Sequence, residues 1–414
     1  MALISNFAYF DLHRERMACD VHRELQKDMD ALLNSYFHEN VQLSQNDAEK
    51  RRDIAFPNVE KILAYINDRD PRFGKVPSRV GSYWQGLKVK KADEFDYSVI
   101  LEGLDNFHWI NSGPRYYNFN KPIDPDHQTI PQDLDVVMTS VPLPSPPKGY
   151  HYVSDSPNSL SSIKGWTDIS DLTRRSGPNK VDFIPFLVRR RLKQLLTEAK
   201  RDLNLRGEIR QSRKVNGPAL TMYFKVNDRE IGIDFAPVIR AHLPFPSWIN
   251  WPRAGVRWPS QEKIREIKQF GINLVAKKDF YWMLSFAELE KMLVDKVDAD
   301  GGKRKEIHRI MKKLNGDFWC NTTKPVISSY ILKNIWFWEM ESLPSAVDWA
   351  NDKIWIRLKS MTERLLQCIN ERDLKQYFYP DFNLLKSKDI KELDIAAIKI
   401  QQFLNDPLKF IDLQ

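Results

Sequence analysis

The stretch from Gly81 to Leu101, GSYWQGLKVKKADEFDYSVIL, narrows the choice of fold more than any other. A glycine-serine pair opens it as a strand-to-helix turn, and Glu94-Phe95-Asp96 leads an alternating strand near its end. Side chains along a strand point to opposite faces in turn, so Glu94, Asp96 and Ser98 share one face while Phe95, Tyr97 and Val99 share the other. Two carboxylates therefore stand about 6.5 Å apart at the backbone, on the face away from the core. Like charges this close repel unless a cation lies between them, and all-oxygen ligands suit a hard ion such as Mg2+ or Mn2+. An isolated Glu-x-Asp is usually a solvated face. The Gly-Ser turn before this one and a third carboxylate downstream give it a different meaning.

The third carboxylate is Asp234, in TMYFKVNDREIGIDFAPVI from Thr221 to Ile239. Asn227-Asp228 reads as the turn of a hairpin. In its second strand Ile231, Ile233 and Phe235 alternate with Gly232, Asp234 and Ala236, so Asp234 leaves the apolar face. The small residues on either side leave room for a ligand.

At 414 residues the chain has length for two or three lobes. Its 63 basic against 55 acidic residues, a net +8, permit a polyanionic partner without requiring one. Cys19, Cys320 and Cys368 are scattered, which suits a reducing compartment better than a disulfide framework. No leader-like or bilayer-length apolar run is present, so a cytoplasmic protein with no membrane partner is expected.

Residues 10–40 and 47–67 read as helices, and the Pro-rich stretch 112–160 as a surface insertion with no visible chemistry. A long helix is expected over 181–205, with Phe183, Phe186, Leu187, Leu192, Leu195 and Leu196 inward. Arg189, Arg190, Arg191, Lys193, Lys200 and Arg201 surround it, and Arg210, Arg213 and Lys214 extend the basic surface. From about residue 260 the chain turns helical and aromatic-rich. The expected class is α/β and bilobal, a mixed-sheet lobe with N-terminal helices and a long helix over 1–260 and a mostly helical lobe over 261–414; that the first lobe is a catalytic core and its long helix a spine is what the resemblance described next implies.

Gly81-Ser82-Tyr83, Glu94-Phe95-Asp96, Gly232-Ile233-Asp234, Leu284-Ser285-Phe286 with Glu290, Ser329-Tyr330 with Lys333, and YFYPDFNL over 377–384 resemble the nucleotidyltransferase superfamily. Their order is similar to that of cyclic GMP-AMP synthase and the animal receptors like it. The resemblance implies that two Mg2+ or Mn2+ ions are held by Glu94, Asp96 and Asp234, with Gly81 and Ser82 against the donor phosphates. It implies nucleotide contacts from Met283, Glu290, Ser329 and Tyr330, with Tyr330 stacking on a base. Lys333, with Arg309 or Lys312, is expected to neutralise triphosphate oxygens. The implied activity is synthesis of a cyclic dinucleotide messenger such as cyclic GMP-AMP from ATP and GTP, in innate immune and antiviral sensing, switched on by nucleic acid along the spine helix. A dimer on the duplex fits the same picture.

Two departures bear on this. Lys291–His308, where the vertebrate synthase carries one His and three Cys for zinc, has no cysteine and reads DADGGKRK at its centre, so no structural zinc is expected. That resembles the invertebrate receptors, and favours double-stranded RNA over double-stranded DNA. Met283 replaces a base-contacting arginine, which leaves base choice open. A nucleotidyltransferase making a linear oligonucleotide, and a catalytically silent relative binding nucleotide or protein, remain as alternatives.

Overall fold

The computed structural model describes residues 24–411 other than 105–107, 111–114, 118–140, 144, 156–171, 178–179, 206–208, 212–216, 227–228, 242–244 and 247. Most of the Pro-rich stretch, the Asn227-Asp228 turn, Cys19, Arg213 and Lys214 lie outside the described residues.

In chain order the strands are β1 (Ser78–Val80), β2 (Glu94–Ile100), β3 (His108–Ile110), β4 (Arg115–Tyr117), β5 (Val141–Leu143), β6 (Tyr150–Asp155), β7 (Thr173–Gly177), β8 (Lys180–Phe183), β9 (Ile209–Gln211), β10 (Leu220–Val226), β11 (Arg229–Ala241), β12 (Ile272–Val275) and β13 (Trp282–Ser285). The main sheet runs β1-β2-β11-β12-β13-β6-β8-β7, with β10 and β9 branching from β11 and β3 from β6. β2 and β11 are parallel, whereas β1 on β2 and β10 on β11 are antiparallel, so the sheet is mixed.

The alternation read from β2 holds at Phe95, Tyr97 and Val99, all essentially sealed from solvent, while Glu94 is exposed and Asp96 half-buried. Ser98 departs from it, being buried like its neighbours. In β11, Ile231, Ile233 and Phe235 are buried and Asp234 half-buried.

A helix (α1) is described from residue 24 to 36 and runs into a π-helical turn, Phe37–Val41. It is followed by α2 (Gln45–Arg69), whose first turn is capped by the Ser44 hydroxyl accepting from the Asp47 N–H at 3.4 Å. The short α3 (Gly81–Trp84) follows β1 directly. The long helix, α4 (Pro185–Asp202), starts later than expected because Val181–Phe183 finishes β8. Pro185 explains the boundary: its fixed φ suits a first helical turn, and a residue before proline is driven extended, as Ile184 is. Phe186, Leu187, Leu192, Leu195 and Leu196 are buried as expected, and α4 packs on α2 and β11.

The C-terminal part comprises α5 (Gln261–Phe270), α6 (Ala287–Val294), α7 (Arg304–Leu314), α8 (Ser329–Ser342), α9 (Ile354–Glu371) and α10 (Ile390–Asn405). Between α5 and α6 the strands β12 and β13 extend the sheet beside β11, so sheet continues past residue 260. Among the described residues no helix is long and apolar enough to cross a membrane.

Candidate active site

Parallel pairing of β2 with β11 sets Asp96 directly opposite Asp234, and Glu94 opposite Gly232. One carboxylate oxygen from each of Glu94, Asp96 and Asp234 lies within 4.8 Å of the others. Strand pairing thus brings together three acids that are far apart in sequence.

Gly81 seals one side of this group. Its φ is +84°, in the region that favours glycine, and a Cβ built there would sit 1.9 Å from Asp96 Oδ2. Ser82 is half-buried on the first turn of α3, immediately beyond.

Crowding has an electrostatic consequence. Burial, then repulsion from Glu94 and Asp234, push the Asp96 carboxyl up to about 7, with Lys88 and Lys333 pulling the other way. Burial also raises Asp234, partly offset by the Thr221 hydroxyl, which donates to Asp234 Oδ1 at 2.5 Å. Lys88 stands beside the group with its ammonium 2.8 Å from Asp93 and 3.3 Å from Glu94. Although burial disfavours its charge, Glu94 and Asp93 together hold its pKa above the ordinary lysine value. Lys88 and Thr221 were not singled out from sequence.

The Asp96 shift makes a test of fold stability. A carboxyl whose folded pKa lies above its unfolded value of about 3.9 costs nothing at low pH, and destabilises progressively as pH rises through 4 to 7. Metal-free Asp96→Asn is therefore expected to be more stable than wild type at pH 8, by on the order of 2–4 kcal/mol, with the gap closing towards pH 5. Thermal melts of the two proteins across that range check it. A gap that stays constant or grows on acidification contradicts it.

The remaining sequence-expected nucleotide contacts divide. Lys333 pairs with buried Glu290 at 2.9 Å and adds to the field at Asp96. Lys312 donates to the Leu87 carbonyl at 2.8 Å, tying α7 to the segment between α3 and β2. Burial first, then Lys333 and Lys88, push its ammonium down to about 7. Arg309 is turned elsewhere, onto the Val41 carbonyl at 3.3 Å and the Phe37 ring at 4.9 Å. Ser329 opens α8 and is exposed. Tyr330 accepts a hydrogen bond from Gln376 at 3.0 Å and lines an apolar cavity with Met283, Phe286, Tyr379 and Phe382. At about 80 Å³ that cavity is small beside the several hundred Å³ usual for ligand pockets.

Much of the expected basic surface is committed within the chain. Arg189 pairs with Asp279 at 2.7 Å, Arg191 with Asp70 at 2.9 Å, Arg201 with Asp202 at 2.7 Å and Arg210 with Glu230 at 2.9 Å. Arg190 lies over the Phe186 ring, and Lys193 and Lys200 are half-buried along α4.

In the segment expected to lack zinc ligands, a guanidinium ties the loop. Arg304, 2% exposed, donates to both oxygens of Asp300 at 2.7 and 2.9 Å and to the Val297 carbonyl at 3.0 Å. Asp298 accepts from the backbone N–H groups of Arg304 and Lys305.

Comparison with known proteins adds an independent line. The domain described as Mab-21 protein nucleotidyltransferase domain matches residues 83–296, and the one described as Mab-21 protein HhH/H2TH-like domain matches 303–402. The chain is 27% identical over 388 residues to protein mab-21-like 3 of Danio rerio, covering 92% of this chain and 98% of that protein. It is 28% identical over 372 residues to protein mab-21-like 3 of Xenopus laevis, covering 88% and 94% respectively. The likeness therefore runs through both domains to Mab-21 proteins, and does not single out the cyclic GMP-AMP synthase-like receptors.

Proposed function

Because the chain belongs to the Mab-21 family of nucleotidyltransferase-fold proteins, we propose that it is a metal-dependent nucleotidyltransferase that makes a cyclic dinucleotide such as cyclic GMP-AMP from ATP and GTP. We propose further that double-stranded RNA switches it on. The convergence of Glu94, Asp96 and Asp234 within 4.8 Å, with Gly81 packed against Asp96, carries the catalytic reading.

The donor set fits a hard divalent ion: the three groups offer oxygen alone, and in the absence of a cation burial, then repulsion from Glu94 and Asp234, drives Asp96 towards its neutral form. Glu94 and Asp96 would hold the ion that accompanies the donor triphosphate, and Asp96 and Asp234 the one beside the acceptor hydroxyl. Two such ions, when bound, supply activation of the hydroxyl and neutralisation of the departing pyrophosphate. The chain's own contribution is positional. Gly81 allows backbone close to Asp96, Thr221 fixes one Asp234 oxygen, and Lys88 and Lys333 add positive charge.

Support for a duplex partner is the net +8 and, on α4, Arg190 and Lys200, for which no ion pair is found among the described residues; an A-form duplex would be bound by shape and backbone. Arg191 is a poor probe, since reversing it would set a second carboxylate against buried Asp70. Reversing Arg190 and Lys200 to Glu is expected to weaken duplex RNA binding and to reduce the slope of log affinity against log salt by about two. Fluorescence anisotropy across a salt series measures this, and an unchanged slope moves the duplex to another face.

The product is tested by incubating the protein with all four NTPs and Mg2+ or Mn2+, alone, with duplex RNA or with duplex DNA, then treating with phosphatase and separating products. A phosphatase-resistant dinucleotide formed only with RNA supports the proposal. Phosphatase-sensitive chains point to a linear product, and activity with DNA alone overturns the RNA assignment.

A further inference from the structure

One cation touches the acid group of the candidate site directly. Among the described residues Glu94 pairs with Lys88 alone, whose ammonium stands 3.3 Å from Glu94 Oε2 and 2.8 Å from Asp93 Oδ1. The other ammonium groups nearby are held elsewhere, Lys333 by Glu290 at 2.9 Å and Lys312 by the Leu87 carbonyl at 2.8 Å. Asp234 is met by the Thr221 hydroxyl, not by a cation. The charge of Lys88 nevertheless reaches all three acids, since it also draws the carboxyls of Asp96 and Asp234 downward against the effect of burial.

The contact is built so that the side chain can leave it. Leu87 is sealed from solvent and its carbonyl is held by Lys312, which anchors the backbone next to Lys88. The Lys88 side chain is 14% exposed, and that of its partner Glu94 is 52% exposed. An ammonium on a flexible four-carbon stem can therefore rotate off Glu94 while the chain beneath it stays in place. A cation near crowded carboxylates relieves their repulsion. A divalent ion taken up by Glu94 and Asp96 would do the same, and would itself repel an ammonium on Glu94.

We propose that Lys88 is the resident counter-ion of the empty carboxylate group, and that a divalent ion must displace its ammonium from Glu94 in order to bind. The inference rests on the metal-dependent reading of the site and adds to it a competitor from the chain itself. Lys88 steadies the acids while the site is empty and raises the concentration of free metal needed to fill it.

The test is equilibrium binding of Mn2+ alone to the full chain, followed by loss of the electron paramagnetic resonance signal of the free ion, with no nucleotide and no turnover. Lys88→Met keeps an apolar stem and removes the charge, and is expected to bind Mn2+ about tenfold more tightly than wild type. Lys88→Gln, a second neutral variant, should also tighten binding, and melting curves establish that each protein is folded. Lys88→Arg keeps both charge and pair and should stay within about threefold of wild type. Lys91→Met removes the same charge from an exposed neighbour that has no ion pair among the described residues, and should change affinity by less than about twofold. Unchanged or weaker binding in the folded neutral variants, or an equal gain from Lys91→Met, would overturn the proposal and leave the metal site standing. No saturable binding by any of these proteins would overturn the metal-dependent reading and this inference with it.

Discussion

Asp234→Asn is expected to lower product formation by three orders of magnitude or more while leaving the fold intact. The amide keeps the shape of the side chain and can still meet the Thr221 hydroxyl, 2.5 Å from Oδ1 in the wild type. What it removes is a negative charge from a group whose task is to hold divalent cations, and electrostatic stabilisation of this kind supplies much of the rate in phosphoryl and nucleotidyl transfer. Burial already disfavours the charge on Asp234, so the variant's melting temperature should equal or exceed that of wild type. Turnover measured with matched melting curves decides it. Near-wild-type turnover in a folded variant removes Asp234 from the chemistry, and loss of fold would make its role structural.

The second large effect concerns stability. Arg304→Ala is expected to cost about 2–4 kcal/mol, because it removes a buried guanidinium that lies over Trp349 and leaves half-buried Asp298 without its nearest cation, while exposed Asp300 loses its bidentate partner to water. Over a chain of 414 residues that corresponds to a fall in melting temperature of about 2–5 °C. Arg304→Lys should recover only part, since an ammonium cannot reproduce two parallel hydrogen bonds to one carboxylate. If the alanine variant melts within about a degree of wild type, the loop is held by its backbone turns and not by the guanidinium.

These two sites differ in how far they were legible in the sequence. The faces of β2 and β11 follow from a period of two within a few residues, so the exits of Glu94, Asp96 and Asp234 from the apolar side could be read directly. Thr221 was within reach too: with Asn227-Asp228 as the turn, pairing Val226 with Arg229 and counting back sets Thr221 opposite Asp234, as found. The parallel register that puts Asp96 across from Asp234 was not legible, since no local pattern fixes how distant strands align. The same limit applies to the basic residues. Arg189 and Arg191 read as exposed on a helix, yet Asp279 and Asp70, distant in sequence, fold back onto them. DADGGKRK showed what it lacked more plainly than what it contained, because an Arg–carboxylate clamp has no spacing rule comparable to that of metal ligands. Helix α4 began late because a single proline outweighed the helical pattern before it.

The central claim is that the Glu94, Asp96 and Asp234 group transfers nucleotides. Its most direct test is transfer of labelled α-phosphate from any of the four NTPs into any product, with Mn2+ and a panel of duplex RNAs and DNAs, comparing wild type with a variant carrying Gln, Asn and Asn at the three positions. Transfer by wild type and none by the variant is the result expected. Transfer by neither under any condition, or equally by both, would contradict it.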